Sequence, residues 1–394
     1  MYKYFRSRVY IRSPSAFLTV PKLSGGDRIG FPIIILAAGL SERMGVFKPL
    51  LPVGGQPAVI RCIRAAEAAG INDIYIVTGH KHAETESVLR GKAPGARVVY
   101  NRGYRDGMFS SALAGISALP DSTDGFFLLP ADCCAVSADV LRALIERFVE
   151  SKGACVARPV YRGRRGHPPL IPARFIGALL SYNGENGLKG FLSPLPTIEV
   201  EMSSPGVLMD MDTPEDYAGL LSFLGLPTYP TSEICKELLN KHCASAEIAE
   251  HGEQVAALAL KIAKLMEARG IRLDIKLLES ACLLHDISRL EPDHARAGKE
   301  LLLREGYPKT AVLVGCHMDM PSFNPAIGEA ELLFLADKLS RRGKITSLED
   351  TMRGIESRFA CDPEALASAK ERINTAQAIM DTLKARYGIG NSAF

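Results

Sequence analysis

The chain has 394 residues, 47% of them hydrophobic and 23% charged, and a net charge of +3. At about 150 residues per domain this length predicts two domains, each long enough to bury its own core. The composition excludes a disordered, collagen-like or coiled-coil chain, and the near-balanced charge gives no reason to expect a nucleic-acid partner.

No apolar run approaches the roughly 20 residues of a membrane-spanning helix. The richest, 31–40, is interrupted by Gly39, so no membrane association is expected. The nine cysteines, at 62, 133, 134, 155, 235, 243, 282, 316 and 361, are odd in number and form no CxxC pair. That usage predicts a reduced, cytoplasmic protein with buried thiols. Residues 1–30 hold six Lys or Arg against one acid, Asp27. No long apolar stretch follows these charges, so the segment reads as a disordered basic extension and not a secretory leader.

From 31 to 224 strand-like and helix-like segments alternate. Strands are predicted at 32–37, 73–79, 96–101, 125–131, 154–161, 197–202 and 207–211. Helices are predicted at 56–69, 82–90, 108–118, 137–151, 173–182 and 214–223. Such alternation predicts an α/β, Rossmann-like domain with a mostly parallel sheet covered on both faces. The segment 225–231, GLPTYPT, has two prolines and a glycine and reads as a linker. From 232 to 394 no strand is predicted. Helices are expected at 232–241, 245–268, 274–288, 292–305, 308–318, 328–342, 347–355 and 362–386, an all-α domain. Val255, Leu258, Ile262 and Leu265 recur at steps of 3, 4 and 3, one helical face.

The first strand runs into LAAGLSERMGVFKPLLPVGGQP (36–57). Small residues at its end, Ala37, Ala38 and Gly39, let a phosphate approach backbone N–H groups. Arg43 and Lys48 follow as two loop cations suited to a triphosphate and its leaving pyrophosphate. The run is neither GxGxxG nor GxxxxGK[ST], so it is neither a dinucleotide fingerprint nor a Walker A loop. Asp132 ends an apolar strand, where open α/β sheets bind ligands. Asp210 and Asp212 stand two apart on a strand-like run, which predicts a shared face. Asp212 or Thr213 also suits a helix N-cap before Pro214. The thiols of Cys133 and Cys134, beside Asp132, read as buried packing residues, with ligand or redox roles as the alternative.

This run resembles the opening signature of the molybdenum cofactor nucleotidyltransferases, and LAAG resembles their cytidylyl-transferring branch. VTGH (77–80), RDGMFSSAL (105–113), PADCC (130–134), GRRGHPPLI (163–171) and MDMDTPEDY (209–217) continue the resemblance in order. It implies that Leu36, Ala37, Ala38 and Gly39 touch the nucleotide and that Arg43 and Lys48 hold the triphosphate. Thr78, Gly79, Gly107, Met108 and Ser111 would line the base pocket. Asp132, with Asp210 or Asp212, would bind Mg²⁺, and His167 would face the acceptor. The implied reaction is transfer of CMP from CTP, or of another NTP's nucleotide, to a molybdopterin-type acceptor, with a molybdenum hydroxylase apoenzyme as a partner. A sugar- or alcohol-phosphate nucleotidyltransferase is the alternative within enzymes. A non-catalytic cofactor carrier with a nucleotide-sensing helical domain is the alternative outside them.

The helical half holds five of the eight histidines, at 242, 251, 285, 294 and 317. His251 shares the apolar face of Val255, His285-Asp286 ends the run ESACLLHD, and Asp337 lies within LLFLADKL. Charged groups among leucines are costly unless matched, which points to a metal. The order H…HD…D, in HGEQVAALA, LLHDIS and ADKLS, resembles the HD-domain phosphohydrolases. That resemblance implies His251, His285, Asp286 and Asp337 as ligands, with His294 and His317 as those of a second ion. Mixed nitrogen and oxygen ligation suits Fe, Mn or Zn, one or two ions.

Overall fold

The computed structural model describes residues 30–242, 244–320, 323, 325–341 and 344–390. The expected extension, apart from Gly30, and Cys243 lie outside the described residues. The chain divides into two compact units between Leu220 and Leu221.

In chain order the first unit contains β1 (Ile33–Ala37), the short hairpin of β2 (Pro52–Val53) and β3 (Gln56–Pro57), α1 (Ala58–Ala68) and β4 (Ile74–Thr78). There follow α2 (His82–Lys92), β5 (Arg97–Tyr100), α3 (Met108–Ile116), β6 (Gly125–Pro130), α4 (Ala138–Glu150) and β7 (Val156–Tyr161). Then come β8 (Arg164–Arg165), β9 (Leu170–Pro172), α5 (Ile176–Leu180), α6 (Gly187–Leu192), β10 (Thr197–Glu201) and α7 (Pro214–Phe223). The sheet order is β10-β7-β9-β6-β1-β4-β5, with β8 paired to β7. β9 runs antiparallel to β6 and β7, while the pairings of β1 with β4 and β6, of β4 with β5 and of β10 with β7 are parallel.

β1, β4 and β6 are buried along their whole length, as strands covered on both faces require. Ile34, Leu36, Tyr75 and Val77 share one core with Ala112 and Ile116 of α3. Gly115 permits this close approach: a Cβ there would lie 2.5 Å from Ile34 Cγ2 and 2.8 Å from Val77 Cγ2.

The predicted strand at 207–211 is corrected. Pro205–Leu208 forms a 3₁₀ turn, with Ser204 Oγ accepting from the Gly206 N–H at 3.3 Å. The proline fixes φ and the serine caps the turn, so Asp210 and Asp212 leave a turn and do not share a strand face. β8, β9 and α6 had no sequence expectation.

The second unit contains α8 (Ser232–Lys241), α9 (Ala246–Glu267), α10 (Ile275–Leu284), α11 (His294–Glu305), α12 (Pro308–Cys316) and α13 (Glu329–Leu339). Its last elements are β11 (Ser340–Arg341), β12 (Lys344–Ile345), α14 (Leu348–Arg358) and α15 (Pro363–Tyr387). The two-residue β11–β12 hairpin corrects the expectation of no strand. Ser245, Asp274, Asp293, Ser347 and Asp362 each cap a helix through a side-chain oxygen. Val255, Leu258 and Ile262 of α9 pack with Leu278 and Cys282 of α10, with α13 and with Ile379 and Leu383 of α15. Thr228 is buried, and its carbonyl accepts from the Lys309 N–H at 3.1 Å. Among the described residues no helix is long and apolar enough to cross a membrane.

Candidate functional site

The carboxyl ends of β1, β4 and β6 are tied together. Leu36 O accepts from the Ala131 N–H at 2.9 Å, and Ala38 O accepts from the His80 N–H at 3.1 Å. Leu36, Ala37 and Ala38 are buried, and Gly39 is exposed with open space where a side chain would be. The loop returns through Ser41, in the left-handed region at φ 61°, whose Oγ accepts from the Lys48 N–H at 3.1 Å. This fixes the base of Lys48. Its Nζ donates to Asp132 Oδ2 at 2.5 Å and to Asp212 Oδ1 at 2.9 Å. Arg43 Nη2 meets Asp212 Oδ2 at 2.8 Å from a largely exposed position.

Burial disfavours the Lys48 charge, yet the Asp132 and Asp212 carboxylates raise the ammonium above its usual range. Partial burial, then repulsion from Asp212 and Asp132, raises the Asp210 carboxyl. Three acids and two cations therefore meet beyond the carboxyl ends of the interior strands β1 and β6. Thr213, not Asp212, caps α7: its Oγ1 accepts from the Asp216 N–H at 3.1 Å, and Asp216 Oδ2 accepts from the Thr213 N–H at 2.9 Å. Asp212 is thereby left for Lys48 and Arg43.

The residues expected to line the base pocket occupy both surface and buried positions. Gly107, at φ 95°, and Met108, 65% exposed, lie at the surface. Thr78 and Ser111 are buried and internally bonded, Thr78 Oγ1 to His82 Nδ1 at 2.8 Å and Ser111 Oγ to Asn101 Nδ2 at 3.0 Å. Gly79 packs under Tyr104, where a Cβ has no room. His167 Nδ1 is buried without a hydrogen-bond partner, and burial followed by Arg158 lowers the pKa of the ring. Cys133 and Cys134 are buried. Burial pushes the Cys134 thiol up to about 12 and Cys133 well above its usual range, as for packing residues.

In the second unit His251 and Asp337 lie inside α9 and α13. His285 and Asp286 stand just past the end of α10, His317 just past α12, and His294 opens α11. His285, Asp286 and His317, expected within helices, are corrected to positions just beyond helix ends, whereas His294 is helical as expected. His251 Nε2 lies 3.1 Å from Asp337 Oδ1, and His285 Nε2 lies 3.5 Å from the same atom and 3.6 Å from Asp286 Oδ2. On its other oxygen, Asp286 Oδ1 lies 3.4 Å from His294 Nε2 and 3.6 Å from His317 Nε2. Two groups fit a metal, His251–His285–Asp286 and Asp286–His294–His317, with Asp286 common to both.

The second ring nitrogens are oriented. His285 Nδ1 is 2.8 Å from Cys282 O and His317 Nδ1 is 2.6 Å from Val314 O, leaving each Nε2 for the centre. His285 Nε2 is buried with no hydrogen-bond partner, an orphan that a metal would satisfy. Burial opposes ionisation of Asp286 and Asp337. His317, His285 and Arg289 hold Asp286 well below the carboxylate range, and Lys338 and His251 do so for Asp337. Lys338 and Arg289 were missed in the sequence. Lys338 Nζ reaches Asp337 Oδ2 at 2.6 Å, and Arg289 Nη1 reaches Asp286 Oδ1 at 3.3 Å. Their signal was adjacency, one and three residues after a ligand.

Residues 33–199 match the MobA-like NTP transferase domain, and residues 248–342 match the HD domain. The molybdenum cofactor cytidylyltransferase of Escherichia coli K12 is 26% identical over 184 residues, 47% of this chain and 92% of that protein. The 2-C-methyl-D-erythritol 4-phosphate cytidylyltransferase of Shewanella amazonensis is 29% identical over 133 residues, 32% of this chain and 54% of that protein. A nucleotidyl transferase structure from Methanothermobacter thermautotroptrophicus is 27% identical, with a TM-score of 0.44, covering 50% of this chain and 98% of that one. The chain thus joins a MobA-like NTP transferase domain to an HD domain.

Proposed function

We propose that the first domain, 31–224, transfers CMP from CTP to a molybdopterin-type acceptor, and that after a linker at 225–231 the domain at 232–394 hydrolyses a phosphate ester or anhydride. The observation that carries the first reading is Lys48 held between Asp132 and Asp212. Lys48 and Arg43 are the cations for the triphosphate, with Gly39 leaving the backbone open to its oxygens. The acceptor phosphate oxygen forms a bond to the α-phosphorus, the α–β bridging bond breaks, and pyrophosphate leaves. Positioning and charge neutralisation carry such transfers. The carboxylates of Asp132 and Asp212, with Asp210 beside them, fit a hard cation, and Mg²⁺ when bound supplies neutralisation of phosphate charge. In this reading His167, whose buried Nδ1 has no hydrogen-bond partner, faces the acceptor.

In the helical domain the orphaned His285 Nε2 and the shared Asp286 support one or two ions of Fe, Mn or Zn. Such ions when bound supply Lewis-acid activation for hydrolysis. Arg289 and Lys338 hold the two acids ionised. Cytoplasmic residence and delivery to a molybdenum hydroxylase apoenzyme belong to the same proposal. Its test is pyrophosphate release with Mg²⁺ and CTP or GTP, with and without molybdopterin. Release with CTP that requires molybdopterin is expected, and none with either nucleotide sinks the transferase reading.

A further inference from the structure

The cleft that opens from the histidine–aspartate centre is larger than a phosphoryl group needs. It encloses about 870 Å³ and runs from His251, Asp286 and Asp337 to side chains of β11, α14 and α15. That volume fits an organic molecule. α14 and α15 lie beyond 248–342, the segment matched to the HD domain.

Five cations line this cleft: Arg289, Lys338, Arg341, Arg358 and Arg372. Three already face acids. Arg289 is 3.3 Å from Asp286, Lys338 is 2.6 Å from Asp337, and Arg372 is 2.7 Å from Asp319. Arg341 and Arg358 pair with no carboxylate among the described residues. The Arg341 guanidinium rests on the bare backbone of α14, where a Cβ at Gly354 would lie 2.7 Å from Nη1. The Arg358 guanidinium lies 5.2 Å over the Phe359 ring, and Phe359, Ile355 and Ile373 form an apolar wall. The remaining acids of the lining, Glu247 and Glu250, both belong to α9, so the unpaired positive charge is confined to the β11–α14 side.

We propose that this cleft is a two-part substrate site. The phosphoryl group lies at the histidine–aspartate centre, and a flat apolar group bearing a second anion lies against Phe359, between Arg341 and Arg358. The inference rests on the hydrolase reading above and narrows it: the substrate is an extended organic phosphate, not a small alkyl phosphate. Arg341, Arg358 and Phe359 are the specificity-determining residues.

The test is fluorescence titration of the full chain, with and without chelator, using 6-carboxy-2-naphthyl phosphate and 2-naphthyl phosphate, with methyl phosphate as competitor. The carboxylated probe is expected to bind at least about tenfold more tightly than methyl phosphate. Arg341→Ala with Arg358→Ala is expected to remove about tenfold for the carboxylated probe and less for 2-naphthyl phosphate. Phe359→Ala is expected to weaken both naphthyl probes alike. The exposed single change Arg358→Glu repeats the charge test if the double variant fails to fold. No preference in the wild type, or variants that bind as the wild type does, overturns the subsite. Absence of phosphate release from all three esters by the metal-loaded wild type instead overturns the hydrolase reading, because binding to the chelated protein is read separately.

Discussion

Lys48 Nζ stands 2.5 Å from Asp132 Oδ2, although 84 residues separate them in the chain. The pair joins the loop after β1 to the end of β6, and Asp212 adds a second carboxylate to the same ammonium. Asp132→Asn keeps the shape and removes the charge. Nucleotidyl transfer is expected to fall at least about 100-fold, as for loss of an electrostatic group at a transferring phosphoryl centre. Circular dichroism and the urea midpoint should stay near the wild type. Unchanged pyrophosphate release would refute the role of Asp132.

Asp286 belongs to both ligand groups, whereas His294 and His317 belong to one. His285→Ala with Asp286→Ala is therefore expected to strip essentially all metal. His294→Ala with His317→Ala is expected to strip only the share held by the second group. Elemental analysis after gel filtration distinguishes these outcomes, and equal metal content in the two double variants would argue against two groups.

Cys133, Cys134, Cys62 and Cys282 are buried with thiols raised above their usual range by burial, while Cys361 is exposed. Iodoacetamide at pH 8 is expected to label Cys361 in the native protein and to reach those four only after denaturation. Peptide mass mapping checks it. Rapid native labelling of Cys133 or Cys134 would restore the redox reading of that pair.

Glu305 accepts from Lys241 Nζ at 2.8 Å and lies 3.0 Å from His242 Nε2. Burial works against its charge, but these partners hold the carboxyl below its ordinary 4.5. A depressed folded pKa contributes stability that is complete above the unfolded value and disappears as pH falls through the folded one. Glu305→Gln should therefore cost about 0.5 kcal/mol near pH 7 and progressively less below pH 4.5. Urea midpoints of both proteins across pH 3 to 7 provide the measurement, and a gap that widens on acidification would contradict the sign.

Gly115→Ala places a methyl 2.5 Å from Ile34 Cγ2. Overpacking of this kind costs about 1–3 kcal/mol. A lowered urea midpoint at unchanged slope is expected, and an unchanged midpoint would mean that α3 shifts freely on the sheet.

The helical half was legible because its helices carry their own boundaries. Ser245, Asp274, Asp293, Ser347 and Asp362 are side-chain caps written directly into the sequence. The buried parallel strands were legible as continuous apolar runs such as IIILA. β9 was not, because its three residues follow two prolines and its pairing to β6 and β7 is set by the sheet alone. The segment at 207–211 misled because alternating Met and Asp resembles a strand, while Ser204 and Pro205 had already set a turn. The ligand positions were legible as acids and histidines among leucines. Their partners Arg289 and Lys338 were not, since an exposed-looking cation carries no periodic signal. The lining from α14 and α15 depends on tertiary folding and leaves no local mark.

Thr213 starts α7 with its own hydroxyl, one residue after an aspartate able to do the same. Adjacent residues have divided two jobs, one structural and one electrostatic. A residue lacking that oxygen at 213 would set the helix start against Lys48 and Arg43 for Asp212, leaving Lys48 with Asp132. Change at this helix start therefore reaches the charge balance beside it as well as the helix.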